Sequence, residues 1–215
     1  MSTTTGEGAS GGVAQTGQLV VKGNTDFIAN TGKNQSADLS LSNDFQGTVS
    51  FTKANGGSWK LVKVTDRNDL KPGNFDIDGD LYLNVGGSIV QDTSNGNKIM
   101  VGGKTDLTAT GVIRLDGTSN DFNGTVNASG KDIILNDVNS LTLGAVSSTG
   151  DLLVASNGTL NLGTSSVGGI RRFAGAGIAG LITLAGIGIA RQNALHACAI
   201  VVGLVSRGRP GRFPG

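Results

Sequence analysis

The sequence is poor in the residues on which most folded domains rely. Aromatic residues make up 4% of its 215 positions, which excludes a core built mainly on large rings. A single cysteine, Cys198, excludes a disulfide framework within the chain. The one histidine is His196, and His196-x-Cys198 alone offers too few ligands for zinc. No histidine precedes it, so no Ser-His-Asp set can form in the long trunk before the tail. Charged residues are 15%, well below the usual quarter. Their distribution is uneven. Residues 1–169 carry sixteen acids against eleven bases, net −5, and residues 170–215 carry six arginines, no lysine and no acid, net +6. An acidic, Asn/Asp-rich trunk is a poor partner for nucleic acid, because phosphate binding needs clustered Lys or Arg.

Glycine is plentiful instead, at 36 residues, but it follows no triplet period, so a collagen-like triple helix is excluded. Short segments alternate apolar and polar residues, as in Asp38-Leu39-Ser40-Leu41, Thr48-Val49-Ser50-Phe51, Asp80-Leu81-Tyr82-Leu83-Asn84-Val85 and Ser140-Leu141-Thr142-Leu143. Period-two alternation marks half-buried strands. Asn-Gly, Gly-Gly, Asp-Gly and Pro-Gly pairs lie between many of them and supply turns.

The strands belong to a long repeat. Asn43-Asp44-Phe45-Gln46-Gly47-Thr48-Val49 returns as Asn120-Asp121-Phe122-Asn123-Gly124-Thr125-Val126. Upstream, Gly23–Ala29 matches Gly103–Ala109; downstream, Gly79–Leu83 matches Gly150–Val154. A partial earlier copy shows as Gly11–Gln15 against Gly86–Gln91. The unit is about 75 residues, with length differences confined to polar stretches such as Lys33–Ser36 and Lys53–Ser58, as a solenoid tolerates. A right-handed parallel β-helix over residues 11–169 is the expected architecture, with a β-sandwich array as the alternative. Equivalent positions of the copies are expected to stack on each other. Recurrent Asn43, Asn68, Asn120, Asn139 and Asn157 are expected to form amide ladders. Residues 1–10 are expected to be flexible. They lack the basic and apolar regions of a signal peptide, which suggests a fragment of a longer protein.

Ser42–Val49, then Asp137-Val138-Asn139-Ser140-Leu141-Thr142-Leu143-Gly144, then Gly150–Val154 resemble, in this order, the filamentous-haemagglutinin-like repeats of large bacterial exoproteins. The first copy departs at the second element, reading Asp66-Arg67-Asn68-Asp69-Leu70-Lys71-Pro72-Gly73. The resemblance covers about residues 11–169. It implies a β-helical shaft, secretion or cell-surface display, and a role in adhesion. It further implies an outer-membrane transporter during export and a surface glycan or protein as target of the full-length protein. It brings no catalytic residues, cofactor or metal.

Chemical motifs in the trunk are weak. Asp76-Ile77-Asp78-Gly79-Asp80 resembles a calcium loop, but Gly precedes the third Asp and Gly87 stands where a Glu is needed. Gly103-Lys104-Thr105 lacks the earlier Gly of a phosphate loop, since Lys98 occupies that position. Asp66, Asp69, Asp132 and Asp137 fit strand ends and turns. Trp59 and Tyr82 could stack on a sugar or be buried. Catalysis is not expected; a β-helical carbohydrate-binding module or polysaccharide-active enzyme is the alternative, to be told apart by a groove of carboxylates and aromatics.

After Gly169 the rhythm stops. Phe173–Ala190 is an uncharged run just long enough to span a bilayer. Residues 170–215 have three readings: an apolar cap on the open solenoid end, helical in form; a membrane segment; or a sequence read in a shifted frame. Membrane contact is expected only if this tail is native.

Overall fold

The computed structural model describes residues 2–4, 12–32, 34–163, 165–169, 171–175 and 177–180. It is an all-β parallel solenoid of about 7 turns. The chain winds through β1 (Ser2–Thr4), β2 (Gly12–Ala14), β3 (Val20–Val21), β4 (Thr25–Asn30) and the long β5 (Gln35–Phe45). Next come β6 (Thr48–Ala54), β7 (Trp59–Asp66), β8 (Lys71–Ile77), β9 (Asp80–Val85) and β10 (Ile89–Val90). A single 3-10 turn at Ser94–Gly96 precedes β11 (Ile99–Val101), β12 (Thr105–Ala109) and β13 (Ile113–Leu115). Narrower turns follow with β14 (Asp121–Phe122), β15 (Thr125–Gly130), β16 (Ile133–Asp137), β17 (Leu141–Ser148) and β18 (Leu152–Ser156). The last strands are β19 (Thr159–Leu162), β20 (Ser165–Val167), β21 (Arg171–Ala174) and β22 (Gly177–Gly180).

Strands two or three places apart in the chain pair in parallel. From β8 onward the chain visits a six-stranded, an eleven-stranded and a five-stranded sheet in strict rotation as far as β16. Alternation decides which side chains enter the core. Strand β9 buries Leu81, Leu83 and Val85 and turns Tyr82 and Asn84 outward. The buried residues form one continuous column, each side chain fully buried contributing about 1.5–3 kcal/mol.

The column is not uniform. In the first half, Phe27 pairs with Phe51, Phe51 with Phe75 and Phe75 with Ile99, so the same long step separates each turn from the next. Phe27 and Phe51 stack with centroids 4.8 Å apart, and Phe75 meets Phe51 edge-on at 5.3 Å. In the second half the step is shorter, as where Ile133 pairs with Leu152 and Leu152 with Arg171. The extra residues of the wide turns form stacked corners, where Thr31-Gly32 and Asn55-Gly56 take positive φ and Asn55 Nδ2 donates to Asn30 Oδ1 at 2.6 Å.

Three expectations change. Ser2–Thr4, inside the segment expected to be flexible, pairs with β4. Stacking also continues past residue 169, as strand rather than helix, because β21 pairs with β18 and β22 with β19. And repeat copies do not stack on each other: the in-register neighbour of Phe51 is Phe75, whereas the copies lie three turns apart. The remainder of the tail, from residue 181 and including His196 and Cys198, lies outside the described residues. Among the described residues no helix is long and apolar enough to cross a membrane.

Candidate functional site

The repeated polar residues converge on two buried braces. Asn43, at the end of β5, is fully buried. Its Oδ1 accepts the Leu19 amide at 2.9 Å, and its Nδ2 donates to the carbonyls of Leu39 and Thr65, each at 3.0 Å. Gln15 Nε2 completes the group by donating to Asn43 Oδ1. One side chain thereby ties three successive turns. Asn120 repeats the arrangement. Its Oδ1 accepts the Ile99 amide at 2.9 Å and Gln91 Nε2 at 2.8 Å, and its Nδ2 donates to Gln91 Oε1 at 2.8 Å and Leu115 O at 3.2 Å. At Asn43 and Asn120 the expected amide ladders are therefore replaced by Gln–Asn pairs across turns.

A second lock joins the Asn-Asp-Phe segment to the Asp-x-Asn of the following turn. Asp66 accepts the amides of Phe45 at 2.7 Å and Asn68 at 2.8 Å; Asp137 accepts those of Phe122 at 2.8 Å and Asn139 at 2.7 Å. Asn68 Nδ2 donates to Asp44 Oδ1, and Asn139 Nδ2 to Asp121 Oδ1, both at 3.0 Å. The first copy's departure after Asn68 leaves this lock intact. Burial pushes the carboxyls of Asp66 and Asp137 above the usual range, against the lowering effect of their backbone donors. At this lock the copies differ in one charge. Arg67 pairs with Asp44, whereas Val138 takes the arginine's place in the second copy. Burial raises Asp44, but hydrogen bonds from Gln46, Arg67 and Asn68 outweigh it and hold the carboxyl below the usual value.

The glycine of each motif is needed for close approach. A Cβ on Gly47 would lie 2.4 Å from Gly23 C, and one on Gly124 would lie 2.1 Å from Gly103 O. Both are impossible without displacing the neighbouring turn.

Outside, the eleven-stranded sheet carries a row of hydroxyls and amides in register, Thr65–Asn84–Thr108–Ser129–Ser147. A shallow hollow of about 460 Å³ beside it is lined by Ser40, Lys63, Thr65, Asp80, Tyr82 and Asn84, among others. Lys104 Nζ stands 5.8 Å from the Tyr82 ring centroid. On the five-stranded sheet a hollow of about 350 Å³ is lined by Val112, Arg114, Asp132, Ile134, Asp151 and Leu153, among others. Strand pairing makes these hollows equivalent in the repeat, with Ile134 in place of Lys63 and Leu153 in place of Tyr82.

The remaining motifs resolve into packing. Asp76 and Asp78 both face Lys53 Nζ, at 2.7 and 2.8 Å, and Asp80 Oδ1 accepts the Lys104 amide at 2.8 Å. Asp69 and Asp132 accept the amides of Ser88 and Asp151 on the next turn, at 2.7 and 2.9 Å. Among the described residues no group of three or more His, Cys, Asp or Glu could hold a metal ion. Trp59 is fully buried, with Nε1 donating to Thr52 O at 2.9 Å. Gln15 and Gln91 were visible in the sequence only as echoes of one another; their shared position opposite an Asn of the next turn was not.

Both copies carry a brace built from a Gln and an Asn, although only Asn43 is also bonded to the following turn, through Thr65 O. The chain belongs to a family of repeats of unknown function, DUF5649. The family's model matches residues 2–52 and 60–129, more than half of the chain. The second match of DUF5649 takes in the whole brace of Gln91 and Asn120 but stops before Asp137 and Asn139 of the second lock. No curated protein and no solved structure matches the chain.

Proposed function

We propose that the chain is a piece of the structural shaft of a secreted or cell-surface bacterial adhesin, giving reach and display without catalysis. The observation behind this reading is where the recurrent residues go. Asn43, Asp66 and Asn68, and likewise Asn120, Asp137 and Asn139, direct their hydrogen bonds to neighbouring turns. The outward hollow, by contrast, changes chemistry from Lys63 and Tyr82 to Ile134 and Leu153 between copies. Recurrence is thus tied to stacking rather than to a surface site. The resemblance to filamentous-haemagglutinin-like repeats accords with this reading. On it, a glycan or protein on a host or neighbouring cell is contacted by the full-length protein, which an outer-membrane transporter exports, and nucleic acid is not a partner.

One observation favours the alternative of a carbohydrate-binding module or polysaccharide-active enzyme: Tyr82 is half-exposed beside Lys63 and Asp80. Two measurements on the purified chain separate the readings. The shaft reading expects an elongated particle in solution scattering and no saturable binding or cleavage across an array of neutral and acidic oligosaccharides. Saturable binding in the micromolar range that Tyr82→Leu abolishes, or any glycosidic cleavage, would decide for the alternative.

A further inference from the structure

The two copies match locally to the level of an irregularity. In the first, Thr48, Val49 and Phe51 pair with Lys71, Pro72 and Phe75, with a register shift between Val49 and Phe51. In the second, Thr125, Val126 and Ala128 pair with Thr142, Leu143 and Val146, with the same shift between Val126 and Ala128. Yet β6 and β8 lie in the six-stranded sheet, and β15 and β17 in the eleven-stranded one. The same holds one strand on. Val62 and Val64 of β7 pair with Leu81 and Leu83 of β9 in the eleven-stranded sheet, and their counterparts Ile133 and Leu135 of β16 pair with Leu152 and Val154 of β18 in the five-stranded sheet. Each of these strands of the second copy has moved round the shaft by one sheet.

The cause is a count. From β6 to β15 the chain makes ten strand steps, with Leu70, bridged to Ile89, serving as the step between β7 and β8. Over this stretch each turn uses three steps, so one repeat is three turns and one side.

We infer that a run of these repeats is a three-sided spiral display, in which any outward position appears on each sheet in turn and returns to its own sheet only after three repeats. The hollow of Lys63 and Tyr82 and its counterpart at Ile134 and Leu153 are the first two steps of that spiral. A flat partner, such as a cell envelope lying along the shaft, then meets a given repeat position once in three copies. Separate small ligands around the shaft can meet every copy. This rests on the shaft reading but makes a narrower claim about its geometry.

Nitroxide pairs in the full chain, in a Cys198→Ser background, test it. Thr65→Cys with Ser147→Cys marks one sheet, four strand spacings apart through Asn84, Thr108 and Ser129; about 19 Å is expected. Thr65→Cys with Asn136→Cys marks repeat-equivalent positions on different sheets. It is closer along the axis, so on a shared face it would give the shorter distance. The spiral requires the reverse order, with the Thr65–Asn136 distance the longer, because the two labels extend outward in different directions from sheets already about 10 Å apart. A shorter Thr65–Asn136 distance overturns the inference and leaves the shaft standing. A Thr65–Ser147 distance far above the expected value sinks the stacked shaft and the spiral with it.

Discussion

The first and second halves of the solenoid solve one problem with different materials. Both carry the same braces. In the first half the turns are wide, and Phe27, Phe51 and Phe75 fill the interior. Their counterparts in the second copy are Leu107, Ala128 and Val146, within turns of which the shortest runs only from Val126 to Leu143. Perimeter and core volume thus shrink together, as close packing demands. Two parts of the repeat are separable: a polar brace that fixes how turns join, and an apolar filling that follows how wide they are.

That separation can be broken most sharply at Phe51. Phe51→Ala should cost about 3–5 kcal/mol by leaving a cavity between Phe27 and Phe75. Ala128→Phe at the equivalent narrow position should also destabilise, by roughly 1–3 kcal/mol through overpacking. Denaturant midpoints would show it; a harmless Ala128→Phe would mean that width does not dictate filling.

The braces should respond alike regardless of width. Asn43→Ala and Asn120→Ala each strand the amide of Leu19 or Ile99 and a glutamine side chain. Each is expected to cost about 2–3 kcal/mol. A cost confined to one copy, measured in the same denaturation series, would show that the two are not one device.

Acid should part the halves. Asp92 is held at about 2 by the hydroxyl and amide of Ser94, with help from Thr48 and Lys71. Asp44 is also held low. A carboxyl with a lowered folded pKa stabilises above its unfolded value of about 3.9 and loses that contribution as pH falls through the folded value. Asp137, raised by burial, has the opposite sign: its protonation favours the folded state, so its contribution improves as pH falls. Asp66 offsets part of the loss in the first half. Hydrogen exchange compared at pH 5 and pH 2.5 should therefore show protection lost earlier around residues 44–92 than around 133–160. Simultaneous loss would remove charge as the distinguishing factor.

The smallest effect expected is a gain. Thr25 and Thr105 are repeat equivalents, and both hydroxyls are buried without a hydrogen-bond partner. Thr25→Val and Thr105→Val should each stabilise by about 1 kcal/mol in thermal or denaturant unfolding. A loss at either site would reveal a partner acquired in solution.

Strand identity was legible because alternation and Gly-rich turns act locally. Leu81, Leu83 and Val85 are buried as their pattern required. The brace was half legible: Asn-Asp-Phe and Asp-x-Asn stood out as recurring, but their burial did not, because a polar residue beside a turn reads as exposed until its partners on other turns are known. The rotation of the copies was not legible at all. It depends on how many strand steps fill a repeat, and Leu70 makes one of those steps as a lone bridge without forming a strand. The length of a single turn was written in the even spacing of Phe27, Phe51, Phe75 and Ile99, but the longer echo between Asn43 and Asn120 overshadowed it.

The matching register shifts at Val49/Phe51 and Val126/Ala128 bear on how such a gene can change. Within each copy, successive turns meet through the same local pairings although the two copies occupy different sides of the shaft. Unequal crossing-over between two copies would therefore delete or duplicate a whole unit and leave a seam whose strand register already matches. What a new junction must still match is the filling, Phe51 in one copy and Ala128 in the other, because it follows the width of the turn.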